Sequence, residues 1–81
     1  MNLDDIKKDL LRHFNGEVIE ERSDEFLEFL GQDDSVTFNG EVDEDKLRTT
    51  LRDYFGSPEN YTIEGIPEAY GRFRVFVSRI N

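Results

Sequence analysis

Two stretches of this chain carry apolar residues at helical spacing, and glycines punctuate the segments between and after them. The first stretch places Leu3, Ile6, Leu10, Leu11 and Phe14 on one face, in the three- and four-residue steps of an amphipathic helix. Asn2 suits its N-cap, and Asp4 and Asp5 suit a first turn where the helix dipole favours anions. Arg12 and His13 fall in its last turn, and Asn15-Gly16 provides a stop. The second stretch runs from Asp43, the expected N-cap, to Phe55. Glu44 and Asp45 follow that cap, and Val42 with Leu47 has the spacing of a hydrophobic staple. Leu47, Leu51, Tyr54 and Phe55 form the stripe expected to be buried, Gly56 stops the helix, and Pro58 prevents its resumption.

Glu17–Glu21 and Val36–Phe38 read as short strands. The stretch from Ser23 to Gly31 admits a two-turn helix capped by Ser23, or a hairpin with Arg22–Asp24 turning and Phe26–Leu30 pairing. The hairpin is favoured, because seven residues make a poor helix and Phe-Leu-Glu-Phe-Leu is rich in aromatics. Gln32–Ser35 turns into the next strand, and Asn39-Gly40 marks a further turn. After the second helix come a strand at Tyr61–Glu64, a loop at Gly65–Gly71 and a strand at Arg72–Ile80 that puts Phe73, Val75 and Val77 on one face. The expected class is α+β, in the order α-β-β-β-α-β-β, with two helices packed on one face of a mostly antiparallel sheet of about five strands. A shift of 41 lays Ile6, Leu10 and Phe14 onto Leu47, Leu51 and Phe55. That pattern fits an internal repeat of a helix–hairpin unit, but two helices obeying one packing rule account for it more simply.

Residues 1–81 fit one domain and leave no room for two cores. Leu, Ile, Val and Phe number 24, enough apolar surface for the chain to fold despite its charge. The chain has no Cys, so neither a disulfide nor a Cys/His zinc site can brace it; ten aromatic residues partly compensate, and homodimerisation would add burial. Met1 opens no basic-then-apolar leader and no apolar run approaches membrane-spanning length, so the expectation is a cytoplasmic protein with no membrane role.

Charge is the most unusual global property. The formal net charge is −9, and the segment from Glu17 to Asp45 alone holds twelve carboxylates against one base, Arg22. A phosphate backbone needs the opposite sign, so nucleic acid is not expected as a direct ligand. Nucleophilic catalysis finds no Cys and no nucleophile-elbow serine, and the lone His13 sits where a helix terminus would favour it anyway. Loops starting at Asp33 and Asp43 fail the calcium-hand pattern at their fifth positions, Thr37 and Leu47, and the six glycines stand one per turn and cradle no phosphate. No cofactor or metal is expected. Arg72-Phe73-Arg74 has the local flavour of an RNA-binding sheet, but the simpler reading pairs Arg72, Arg74 and Arg79 with nearby acids.

These exclusions leave the acidic block. The leading expectation is a non-enzymatic protein-interaction module, an acidic inhibitor that occupies a nucleic-acid groove on a basic partner such as a nucleic-acid-binding protein. Small acidic inhibitors that phages use against host defences act this way; the parallel is one of charge and size. Glu20, Glu21, Asp24, Glu25, Glu28, Asp33 and Asp34 are the acids expected to contact the partner. A rival class is a structural or assembly subunit that self-associates through Phe26, Phe29, Phe38 or Phe76, and a third is a hydrolase using paired carboxylates.

Overall fold

A computed structural model describes residues 1–80. Helix α1 spans Leu3–His13 and starts on a reciprocal cap: the Asn2 side chain accepts the Asp5 N–H at 2.9 Å, and the Asp5 carboxylate accepts the Asn2 N–H at 3.2 Å. It ends at Phe14, whose N–H still donates to the Leu10 carbonyl while its own backbone is extended. Helix α2 spans Glu44–Phe55; the Asp43 carboxylate accepts the Lys46 N–H at 3.0 Å, and Gly56, at φ +62°, turns the chain away. Leu3, Ile6 and Leu10 of α1 and Leu47, Leu51 and Phe55 of α2 are buried in one common cluster. Tyr54 departs from the expected stripe: it is 39% exposed and stacks its ring on His13 at 3.8 Å, tying the C-terminal turns of the helices together. Leu11 flanks the α1 stripe and is also exposed.

The four-stranded sheet consists of β1 (Gly16–Arg22), β2 (Phe26–Gln32), β5 (Tyr61–Pro67) and β6 (Arg72–Arg79) in the order β1-β2-β6-β5, antiparallel throughout. The Ser23–Leu30 ambiguity resolves as the hairpin. Both helices lie on the face that carries Leu27, Phe29, Phe73, Val75 and Val77, all fully buried. The expected α+β class with helices on one face is what the chain adopts.

Two boundaries differ from expectation. Val36–Phe38 does not join the sheet: Asp34–Val36 forms a 3-10 turn that drives Val36 into the core, and β3 (Thr37–Phe38) pairs only with β4 (Glu41–Val42) around Asn39-Gly40. The Asp43 N–H then donates to the Val36 carbonyl at 2.9 Å, closing this excursion directly onto the cap of α2. The turn buries Val36 fully, whereas the two-residue strands that follow it bury neither Thr37 nor Phe38. Strand β5 in turn extends through Gly65 to Pro67, because Gly65 lets the backbone pass beneath Leu47 and Leu51, where a Cβ would lie 2.7 Å from Leu51 Cδ1.

The strand order is symmetric about the β2–β6 pair. The unit α1–β1–β2 supplies one inner strand and one edge, and α2–β5–β6 supplies the others. The 41-residue shift holds for the helices alone, while the hairpins after them repeat the same order of elements at a longer offset.

Candidate functional site

No helix covers the second face of the sheet. Residues opposite one another in an antiparallel ladder share a face, so the register sets what this face presents. Arg22, Phe26, Ser78 and Thr62 form one cross-strand row, and Glu20, Glu28, Phe76 and Glu64 the next. Glu17, Leu30, Arg74 and Ile66 form the third. Phe26, Leu30 and Phe76 are half-buried with nothing above them, because they shelter one another and their charged neighbours lie across them. The rings of Phe26 and Phe76 are 6.3 Å apart, and the Arg22 guanidinium sits 4.5 Å from the Phe26 centroid.

Arg74 stands at the middle of this face. Its Nε donates to Glu68 at 2.6 Å and its Nη1 pairs with Glu28. These two bonds, that to Glu68 first, raise the Arg74 pKa further. Arg22 pairs with Glu20 at 2.9 Å. Glu17 and Glu64 carry no ion pair among the described residues. The face therefore combines a half-buried apolar centre with a rim of predominantly negative charge, the anatomy of a non-obligate interface.

The seven acids expected from sequence do not converge on one patch. Glu20 and Glu28 are cross-strand neighbours on the uncovered face. Glu21 lies on the opposite face, where Lys7 of α1 reaches it at 3.3 Å. Asp24 and Glu25 occupy the β1–β2 turn, where the Tyr61 hydroxyl donates to Asp24 Oδ1 at 2.7 Å and Arg79 pairs with Asp24 Oδ2 at 3.0 Å. The bond to Asp24 raises the Tyr61 pKa. Asp33 and Asp34 sit at the far end of β2, about 20 Å from that turn at the rise of a strand. Asp33 is an internal cap: burial pushes its carboxyl up, but bonds from Ser35 and the Asn15 N–H outweigh this and hold it below the usual value.

Glu64 and Glu68 join Glu20 and Glu28 on the uncovered face; the expected loop at Gly65–Gly71 does not anticipate the placement of Glu68. The alternation Thr62, Glu64, Ile66 is the sequence signal that points to Glu64. Of the arginines expected to pair with acids, Arg74 and Arg79 do so, whereas Arg72 bonds the Ala69 carbonyl and lies over the Tyr70 ring. Of the aromatic residues weighed for self-association, Phe29 is fully buried, Phe26 and Phe76 lie on the uncovered face, and Phe38 is 68% exposed. Among the described residues no three His, Asp or Glu side chains are grouped to hold a metal ion, and no helix is long and apolar enough to cross a membrane. No protein family, curated protein or solved structure matches the chain.

Proposed function

We propose that this chain is a non-enzymatic interaction module that docks on a basic partner through the uncovered sheet face, as an acidic inhibitor competing with nucleic acid for that partner. One observation carries the reading: a sheet face with Phe26, Leu30 and Phe76 at its centre stands open, and carboxylates outnumber bases around it. The charge steers a cationic surface toward the face, and the aromatic centre supplies the area that closes water out. A cytoplasmic location fits this role.

The test is capture from bacterial lysate by tagged protein, with elution by salt and by competing duplex DNA. The expected result is recovery of nucleic-acid-binding proteins that DNA releases and that the triple variant Glu17→Gln, Glu20→Gln, Phe76→Thr fails to recover. Capture that DNA does not compete, or that the triple variant retains, overturns the reading.

A second reading, self-association through exposed aromatics, is favoured by a different end of the molecule. Phe38 and Tyr70 are 68% and 83% exposed. Their two turns abut, since a Cβ on Gly71 would lie 3.2 Å from the Gly40 carbonyl oxygen. A molecular mass in solution that rises with concentration, and that Phe38→Ser abolishes, would favour this reading over the first.

A further inference from the structure

The two edge strands hold equivalent places in the sheet but are finished differently. At β1 the pairing shifts register between Val18 and Glu20, and Lys7 bridges from α1 to Glu21, so this edge is bent, charged and tied to its helix. At β5 the pairing with β6 runs from Tyr61 to Pro67 without a shift. The Asn60 carbonyl accepts from the Ile80 N–H, and the Glu68 N–H donates to the Arg72 carbonyl. Hydrogen-bonded pairs alternate along an antiparallel ladder, so Thr62, Glu64 and Ile66 exchange bonds with β6. The N–H and C=O groups of Ile63 and Gly65 therefore point outward, and no backbone group from elsewhere in the described chain bonds to them.

These free groups adjoin a cleft of about 370 Å³ between β5 and α2, where Leu51, Ile63 and Gly65 lie between two arginines, Arg48 and Arg52, and two acids, Glu44 and Glu64. Under the 41-residue shift Arg48 stands where Lys7 stands on α1. Each pairs with the acid three residues before it in its own helix, Lys7 with Asp4 and Arg48 with Asp45, but Arg48 makes no further bridge to its strand. Arg52 has no ion pair among the described residues.

We propose that this cleft receives an extended segment of a partner protein as a fifth strand, with an apolar side chain between Leu51 and Ile63 and a carboxylate against Arg52. The segment's backbone completes the bonds that Ile63 and Gly65 leave open, and its period-two alternation aims every second side chain at α2. Arg52, whose guanidinium has no ion pair among the described residues, selects a carboxylate at one of those positions. A second copy of this chain is the poorer occupant, because its β5 would set Glu64 against a like-charged strand and its β1 is bulged and tied to α1. The cleft lies at the β5 edge on the helix side, so the proposal does not depend on the uncovered face.

Nitrogen-15-labelled protein titrated with the acetylated, amidated peptide Thr-Val-Thr-Glu-Thr-Val-Thr, and with the same peptide carrying Lys for Glu, tests this. The amide signals of Ile63 and Gly65 should move, the Glu peptide should bind about tenfold tighter than the Lys peptide, and Arg52→Glu should reverse that order. Equal affinity for the two peptides, or no shift at Ile63 and Gly65 at millimolar peptide, overturns the proposal. So do shifts centred on β1 or the uncovered face, or Ile63 and Gly65 signals that move with protein concentration alone. Exchanging the peptide leaves the protein unaltered, so the comparison of the two peptides remains decisive even if Arg52→Glu perturbs folding.

Discussion

Replacing Gly31 by alanine puts a methyl group where the Phe73 ring already lies. Gly31 pairs directly with Phe73 across the β2–β6 ladder, and a Cβ there would sit 2.8 and 2.9 Å from Phe73 Cε2 and Cε1 and closer still to Cζ. The ring cannot swing aside, because Phe73 is fully buried and its centroid lies 5.2 Å from Phe14 and 6.4 Å from Phe29. Overpacking of this kind costs about 1–3 kcal/mol, and alanine returns about 0.5–1 kcal/mol of the entropy that glycine loses in a strand. Because the ring has nowhere to move, the cost falls at the top of that range, and the net expectation is a loss of about 2 kcal/mol from a total of roughly 4–12 kcal/mol for a chain of this length. That corresponds to a fall in Tm of about 8–16 °C. Gly65→Ala should be destabilising for the same reason, since its Cβ would lie 2.7 Å from Leu51 Cδ1 and 2.9 Å from Leu47 Cγ and Cδ2, and Leu47 is fully buried. Urea unfolding followed by far-UV circular dichroism and tyrosine fluorescence measures both, with the m-value required to stay constant. A Gly31→Ala or Gly65→Ala protein within about 0.5 kcal/mol of the parent would refute the packing argument.

Three further outcomes follow from local geometry. Tyr70 sits at φ +64° beside Gly71 at φ +72°, a pair of angles that suits Asn-Gly, so Tyr70→Asn should stabilise the β5–β6 hairpin by about 0.5–1 kcal/mol in the same urea assay. Asp43→Ala removes the α2 cap and should lose about 1 kcal/mol, whereas Asp43→Ser should recover most of it. Asp33 has a folded pKa below its ordinary value of 3.8, so its ionised form stabilises the native state. That contribution is complete above the unfolded pKa and disappears as pH falls through the lower folded value. Asp33→Asn should therefore be less stable than the parent at pH 7, and the gap in urea midpoints should narrow at pH 3; a gap that widens on acidification would show the sign to be wrong.

Both helices are legible in the sequence to within a residue or two because their determinants are local. Asn2 and Asp43 act three residues away, and Gly56 acts at its own position. The buried parity of Phe73, Val75 and Val77 is legible for the same reason, since a strand alternates whatever its partner. Strand order, the diversion of Val36 into the core and the reach of β5 beneath α2 were decided by tertiary structure, because each depends on which surface is left to bury once the helices dock. The acidic block shows the same division. Its charge is a property of composition, but its carboxylates find partners far along the chain: Glu28 bonds Arg74 at a separation of 46 residues, and Asp24 bonds Arg79 at 55. Local pattern carries no information about such pairs. Only the folded sheet separates the acids that brace the molecule, Glu21, Asp24 and Asp33, from Glu17 and Glu64, which it leaves at the rim of an open face.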